Sequence, residues 1–155
     1  MLYLADTNIL LRFVAPTDPN HALVRYILYS LLERGESVCY LSQNLAEFWN
    51  VCTRPATSRS GFGLSIEETH KRAQVIERHL TFLPDNEEIH TQWRNLIVDY
   101  KVCGVQVYDA RIVAAMRVHN IRQILSFNTD DFVRYSNEIQ AIHPSEIGIE
   151  LGFQE

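Results

Sequence analysis

Apolar residues follow two patterns that alternate along the chain. Short, mostly apolar runs are typical of buried strands, and they predict strands at Leu2–Ala5, Val38–Leu41, Thr81–Pro84, Gln123–Ser126 and Ile139–Ile142. Longer stretches with helical spacing predict helices over roughly 9–14, 20–34, 42–52, 65–80, 87–102, 109–118 and 130–135. Strands that alternate with helices indicate parallel strands joined by right-handed crossovers. The predicted fold class is therefore α/β, with a central parallel β-sheet flanked by helices.

One long break interrupts this alternation. The segment Thr53–Gly63 is rich in turn-forming residues, which predicts a surface loop, and no repeat, linker or low-complexity segment is found elsewhere. We therefore expect one folded domain over residues 1–143, followed by a C-terminal tail, residues 144–155, to which the pattern assigns no structure.

Composition excludes some classes of protein. A formal charge of −5 argues against binding to nucleic acid through the overall field, although carboxylates that bind divalent cations give the same acidic balance. No apolar run approaches the roughly 20 residues of a membrane-spanning helix, and the start of the chain lacks the pattern of a signal peptide. Cys39, Cys52 and Cys103 form no CxxC pair, so we expect buried apolar side chains and a cytoplasmic protein.

Acidic residues follow several of the predicted strands. Asp6 ends the first strand, Asp130 and Asp131 come shortly after the fourth, and Glu47 and Asp109 lie in the first turns of helices. In an open parallel sheet, ligands bind outside the carboxyl ends of the strands, and the following helices begin at that same edge. We therefore expect these carboxylates to converge.

Converging carboxylates have a physical cost that a cation removes. Unpaired carboxylates repel one another, which raises their pKa values. Oxygen ligands without a nearby His or Cys favour Mg²⁺ or Mn²⁺ over zinc. Such an ion lowers the pKa of bound water and neutralises charge on a phosphoryl oxygen, as the hydrolysis of a phosphodiester requires.

Each carboxylate also has a purely structural interpretation. Asp6 is a good N-cap for the helix that follows it, and Glu47 is a possible capping partner of Asn44. Asp109 complements a helix dipole. The pair Asp130–Asp131 is a common turn signal. These alternatives stay open at the level of sequence.

Four sequence blocks together resemble the PIN-domain family, and within it the VapC-type toxins of toxin–antitoxin pairs. They are an apolar strand running into Asp6–Leu10, then Leu45–Phe48, Val107–Ala115 and Ile124–Phe132, in this order. The resemblance covers the chain from Leu2 to about Ile142. It implies a three-layer PIN-like fold around a parallel sheet.

The resemblance also implies an activity and a set of ligands. It implies cleavage of RNA that depends on Mg²⁺ or Mn²⁺, with Asp6, Glu47 and Asp109 as metal ligands. Thr7 and Asn8 would shape or contact the site. A homodimer and an inhibitory antitoxin partner are also implied.

The fourth block departs from the pattern of the family. Ser126 would orient a carboxylate or a water molecule, but Asn128 stands where many relatives have an acid. An Asn oxygen can coordinate Mg²⁺ without supplying charge. We expect Asn128 to contribute a neutral contact and Asp131, rather than Asp130, to be the fourth catalytic and metal-binding carboxylate.

Candidate RNA-binding cations are few. Arg54 and Arg59 lie in the Thr53–Gly63 loop, beyond the helix that carries Glu47, so we expect Arg54 to contact RNA phosphate. A solvated loop is the alternative. Arg111 is placed to pair with a neighbouring carboxylate.

Two other functions compete with a ribonuclease. A PIN-like module that binds RNA or a partner, with weak or no catalysis, is favoured by Asn128. A phosphoryl-transfer enzyme with a nucleophilic Asp6 would carry a second acid at position 8, where this chain has Asn8.

Overall fold

Five parallel strands form the centre of the protein. The computed structural model describes residues 1–155. The strands are β1 (Leu2–Ala5), β2 (Ser37–Leu41), β3 (Thr81–Leu83), β4 (Gln123–Leu125) and β5 (Gln140–Ile142). They lie in the order β3-β2-β1-β4-β5, and every neighbouring pair is parallel. The α/β class with a central parallel sheet is confirmed.

Seven α-helices and one 3₁₀ helix connect and cover the strands. The α-helices are α1 (Thr7–Phe13), α2 (His21–Glu33), α3 (Ser42–Thr53), α4 (Ile66–His79), α5 (Glu87–Asp99), α6 (Gln106–Val118) and α7 (Pro144–Leu151). The 3₁₀ helix spans Thr129–Tyr135, between β4 and β5. Each predicted helix is present.

Two hydrophobic cores lie on opposite faces of the sheet. Along β1, Tyr3 and Ala5 belong to the core that packs against α1, α2 and α3, whereas Leu4 belongs to the core lined by α6. Successive side chains of a strand point to opposite faces, so a central strand buried on both sides must be apolar throughout. The continuous apolar pattern of the sequence therefore reflects a three-layer structure.

Helices α1 and α5 differ from the prediction only at one end, with α1 beginning at Thr7 and α5 ending at Asp99. Two further differences affect the site and the core. Helix α6 begins at Gln106 rather than at Asp109, which places Asp109 inside its first turn. Residues 144–151 of the predicted tail form α7, which packs against α2. Gly148 allows this close approach, because a Cβ atom there would lie 2.8 Å from Leu23 Cδ1. The tail therefore contributes to the first core, through Ile147.

The three cysteines differ in their burial. Cys39 and Cys52 are buried as expected, but Cys103 is exposed, so the prediction of a buried side chain is wrong at that position. None of the helices has the length and apolar character needed to cross a membrane.

Candidate active site

The carboxyl ends of β1 and β4 bring Asp6 and Ser126 together. The register pairs Ala5 with Leu125, and the next residue, Asp6, donates its backbone N–H to Leu125 O at 3.0 Å. Ser126 Oγ then donates to Asp6 Oδ2 at 2.7 Å. Two side chains that are 120 residues apart in sequence therefore form a direct hydrogen bond at the sheet edge.

Asp6 is both a helix cap and a member of this cluster. Its Oδ1 accepts a hydrogen bond from Thr7 N at 2.8 Å, which caps α1, while Asn8 Nδ2 donates to Oδ2 at 3.3 Å. Burial raises the pKa of Asp6, and the hydrogen bonds from Ser126 and Thr7 oppose that rise. The capping interpretation is correct and does not exclude a role in the site.

Glu47 points to the same edge and is fixed through both of its oxygens. Thr7 Oγ1 donates to Oε2 at 2.7 Å, and Gln43 Nε2 donates to Oε1 at 3.0 Å. Asn44 bonds instead to the backbone N–H of Leu41, at 2.9 Å. Glu47 is therefore not the capping partner of Asn44, and Thr7 links it to the Asp6 segment.

Asp109 is the carboxylate with the least local compensation. It is half-buried, and its pKa is raised to about 7, first by burial and then by the charges of Asp131, Asp6 and Glu47. No hydrogen bond contributes to lowering this pKa. The four predicted carboxylates are therefore close enough to influence one another electrostatically, as repulsion between like charges requires.

Asp130 and Asp131, which follow β4, differ in their effect on the other carboxylates. Both are exposed, but only Asp131 contributes to the raised pKa values of Asp6 and Asp109. Asn128 donates its backbone N–H to Ser126 Oγ at 3.0 Å, and its carbonyl accepts from Asp131 N at 3.1 Å. Asn128 thus contacts the cluster through its backbone, while its side chain is exposed.

Arg54 lies at the far end of the helix that carries Glu47. It follows α3 seven residues after Glu47, which corresponds to roughly 10 Å along a helix axis, and its N–H bonds to Asn50 O at 2.9 Å. The loop folds back on this helix end, since a Cβ atom at Gly61 would lie 2.5 Å from Arg54 O. Arg54 is therefore separated from Glu47 along α3, and its contact with RNA phosphate stays a prediction.

Sequence reasoning missed Gln43, which joins two helices at the site. Besides Glu47, Gln43 Nε2 bonds to Tyr108 O at 2.9 Å, and Gln43 Oε1 lies 3.4 Å from Arg111 Nη1. Arg111 also pairs with Asp85, at 3.4 Å. The pairing of Arg111 with a carboxylate was predicted. For the link that Gln43 makes between α3 and α6, the only signal in the sequence was its position one helical turn before Glu47.

The side chains suit a divalent cation by type but do not form a closed cage. All four carboxylates are hard oxygen donors. Burial, and after it the charges of the other three carboxylates, raises the pKa of Asp109, and a bound cation would offset both effects. No group of three His, Cys, Asp or Glu side chains in the protein is close enough to hold an ion. Binding therefore requires the carboxylates to draw together.

The fold and the site define an α/β protein with a carboxylate cluster at the carboxyl edge of a parallel sheet. The sequence profile of the PIN domain matches residues 3–138. The chain belongs to the PIN domain family. A comparison with curated protein sequences gives no match.

Solved structures of toxin–antitoxin proteins have the same fold. A chain of VapBC2 from Rickettsia felis, bound to a promoter DNA fragment, has a TM-score of 0.67 at 16% identity, covering 92% of this chain and 98% of that chain. VapC20 from Mycobacterium tuberculosis, a toxin that cleaves the sarcin–ricin loop, has a TM-score of 0.62 at 17% identity, with coverages of 84% and 93%. For FitAcB from Neisseria gonorrhoeae the TM-score is 0.61 at 18% identity, with coverages of 92% and 98%. At these identities the likeness establishes the fold.

Proposed function

We propose that the protein is a metal-dependent endoribonuclease that hydrolyses RNA phosphodiester bonds, using Asp6, Glu47, Asp109 and Asp131. The observation that carries the proposal is the raised pKa of Asp109, to about 7, caused by burial and by the other three carboxylates. Structural ion pairs would lower the pKa of a carboxylate instead. A half-buried carboxylate at a sheet edge, repelled by three others and without a cationic partner, supports a site for cations.

Each side chain has a distinct part in this proposal. A bound Mg²⁺ or Mn²⁺ would activate water and offset charge on the phosphoryl group. Asp6, Glu47, Asp109 and Asp131 would hold the cation. Thr7 fixes Glu47 through its hydroxyl, at 2.7 Å.

Two polar side chains organise the Asp6 end of the site. Ser126 donates to Asp6 at 2.7 Å, and Asn8 Nδ2 lies 3.2 Å from Ser126 Oγ. Asn8 Oδ1 also accepts from Phe127 N, at 3.1 Å. These bonds support roles for Ser126 and Asn8 in orienting the nearby carboxylate. We propose that the Asn128 side chain gives the cation a neutral contact, directly or through water.

We further propose that the protein is the toxin of a toxin–antitoxin pair, acting on RNA in the cytoplasm. Similar chains occur in VapBC2 from Rickettsia felis, in FitAcB from Neisseria gonorrhoeae and in VapBC-1 from Haemophilus influenzae. An antitoxin protein would be the cognate partner. Exposed apolar side chains, which include Val98 on α5, Val105 just before α6 and Val133 on the 3₁₀ helix, support the homodimer that we propose.

The direct test is cleavage of a labelled RNA by the purified protein. We expect cleavage with Mg²⁺ or Mn²⁺, none in EDTA, and recovery when the metal is restored. Asp6→Asn and Asp109→Asn should each abolish cleavage while the circular dichroism spectrum stays that of the parent. Undiminished cleavage in excess chelator, or activity restored by zinc alone, would refute the proposal.

A PIN-like binding module with little or no catalysis is the second candidate. It is favoured by the neutral Asn128 and by the absence of a closed group of three metal ligands. It predicts that Mg²⁺ and Mn²⁺ leave the melting temperature unchanged, because only a ligand that binds the folded state stabilises it. RNA binding without cleavage in either metal would select this candidate.

A further inference from the structure

One face of α6, the helix that carries Asp109, presents an aromatic and a basic side chain. Tyr108 and Arg111 are three residues apart, so they lie on the same face of the helix. The Tyr108 residue is 60% exposed, and the Arg111 side chain is 31% exposed. Their helix carries one of the four proposed catalytic carboxylates. The two residues therefore lie within two positions of Asp109 along the chain.

Arg111 is held by contacts that an anion can replace. Its Nη2 lies 3.4 Å from Asp85 Oδ1, and the Asp85 side chain is 43% exposed. Its Nη1 lies 3.5 Å from the same Asp85 oxygen and 3.4 Å from Gln43 Oε1. All three distances exceed those of a strong charged hydrogen bond. A guanidinium group in this state keeps donors available for the bidentate geometry that phosphate offers.

Tyr108 combines a fixed backbone with an exposed ring. Its carbonyl accepts a hydrogen bond from Gln43 Nε2 at 2.9 Å, and the preceding carbonyl, of Val107, accepts from Trp93 Nε1 at 2.8 Å. Two side chains from α3 and α5 thus anchor the first turn of α6. An exposed aromatic ring on an anchored backbone is a suitable platform for stacking a nucleobase.

Gln43 connects this face to the carboxylates. The same amide nitrogen that bonds to Tyr108 O also donates to Glu47 Oε1 at 3.0 Å. One side chain therefore separates Arg111 from a proposed metal ligand. A nucleotide that contacts Arg111 would place its neighbouring phosphate next to the carboxylate cluster.

We propose that Tyr108 and Arg111 form a subsite for one nucleotide of the RNA, next to the bond that is cut. Arg111 binds a phosphate in exchange for Asp85, and Tyr108 stacks on the base. The proposal rests on the proposed ribonuclease function for its substrate. It adds Arg111 to Arg54, for which the sequence predicts a phosphate contact.

Cleavage kinetics test the phosphate contact. Arg111→Gln should raise KM for a single-stranded RNA about tenfold and flatten its salt dependence, with kcat little changed. Asp85→Asn should lower KM about twofold, because it removes the competing anion. The matched control is Arg72→Gln on α4, which breaks an ion pair with Glu68 of the same 3.4 Å length and should leave KM unchanged.

Binding without turnover separates this proposal from the ribonuclease function. Fluorescence anisotropy of labelled oligo(U) in EDTA at low ionic strength should show weaker binding for Arg111→Gln and for Tyr108→Ala, by about tenfold each. Tyr108→Phe should retain parental affinity, since stacking needs only the ring. If the parent binds but never cleaves, the ribonuclease function fails and the subsite stands.

Three results would overturn the subsite. The first is an equal KM and affinity for Arg111→Gln and the Arg72→Gln control. The second is no detectable oligonucleotide binding by the parent. The third is a Tyr108→Ala variant whose mass falls from dimer to monomer while its affinity for RNA is unchanged, because the ring would then belong to a contact between copies of the chain.

Discussion

Asp109 couples the charge of the site to the stability of the protein. Its pKa is raised from 3.8 to about 7 in the folded state. Between these values the folded protein keeps a proton that the unfolded chain has lost, so stability falls as pH rises through this window. Below pH 4 the contribution is complete, and above about pH 7 it is gone. The ionised Asp109 therefore lowers the free energy of unfolding of the cation-free protein at neutral pH.

Replacing Asp109 by Asn should remove that cost. After allowance for screening by solvent we expect about 1 kcal/mol at pH 8, or about 3 °C in melting temperature, and almost no gain at pH 4. The measurement is thermal unfolding in EDTA across this pH range. A variant that is less stable than the parent at pH 8 would make Asp109 a structural side chain.

The Ser126 hydroxyl joins the carboxyl ends of β1 and β4 through its hydrogen bond to Asp6. Ser126→Ala removes the bonds to Asp6 and to the backbone of Asn128, and leaves the buried Asp6 with fewer donors. We expect a loss of about 1–3 kcal/mol and a large drop in cleavage rate. Chemical denaturation and initial rates measure the two effects.

Ser65→Ala is the matched control for Ser126→Ala. Ser65 caps α4 through Glu68 N, at 3.1 Å, far along the chain from the carboxylates. Its loss should cost about 1 kcal/mol and leave the rate unchanged. Equal rates for Ser126→Ala and Ser65→Ala would reduce Ser126 to a structural role.

The 3₁₀ helix carries both candidates for the fourth metal-binding carboxylate, Asp130 and Asp131. Asp131 influences Asp6 and Asp109 electrostatically, so Asp131→Asn should lower the cleavage rate at least about tenfold and weaken the metal dependence. Asp130→Asn is the control, with a rate close to that of the parent. Initial rates over a Mg²⁺ titration give both values, and a large loss in Asp130→Asn alone would reverse the assignment.

Helix boundaries show where local pattern is insufficient. The start of α6 lies three residues before Asp109, and Trp93 on α5 and Gln43 on α3 bond to carbonyls in its first turn. Neither contact is visible in the local sequence. Helix α7 has a Pro at its first position and a Gly at its end, which are recognised helix signals, and its burial depends on α2.

A divalent cation should stabilise the whole molecule. Saturating Mg²⁺ or Mn²⁺ binds the folded state only, so it should raise the melting temperature by about 3 °C or more, and EDTA should reverse the rise. The Asp6→Asn and Asp109→Asn variants should show no such shift. Differential scanning fluorimetry is sufficient, and an identical shift in both variants would place the cation elsewhere.

The sequence predicted the sheet and the grouping of the carboxylates, but it did not predict which arginine side chain lies near them. Parallel strands place their carboxyl ends at one edge, and this rule correctly grouped Asp6, Glu47 and Asp109. It could not choose between Arg54 and Arg111, because a cation's reach depends on the direction of its helix. Helix α3 carries Arg54 away from the edge, whereas the Arg111 guanidinium lies beside Gln43.

The order of strands also has a consequence for the moment at which the site is formed. The central strand β1 is translated first, but its neighbour β4 follows more than a hundred residues later. Asp6 therefore has no Ser126 or Asp131 beside it while the intervening segment is being synthesised. A nascent chain on the ribosome contains only an incomplete carboxylate cluster, and it gains the remaining side chains when residues 126–131 have emerged.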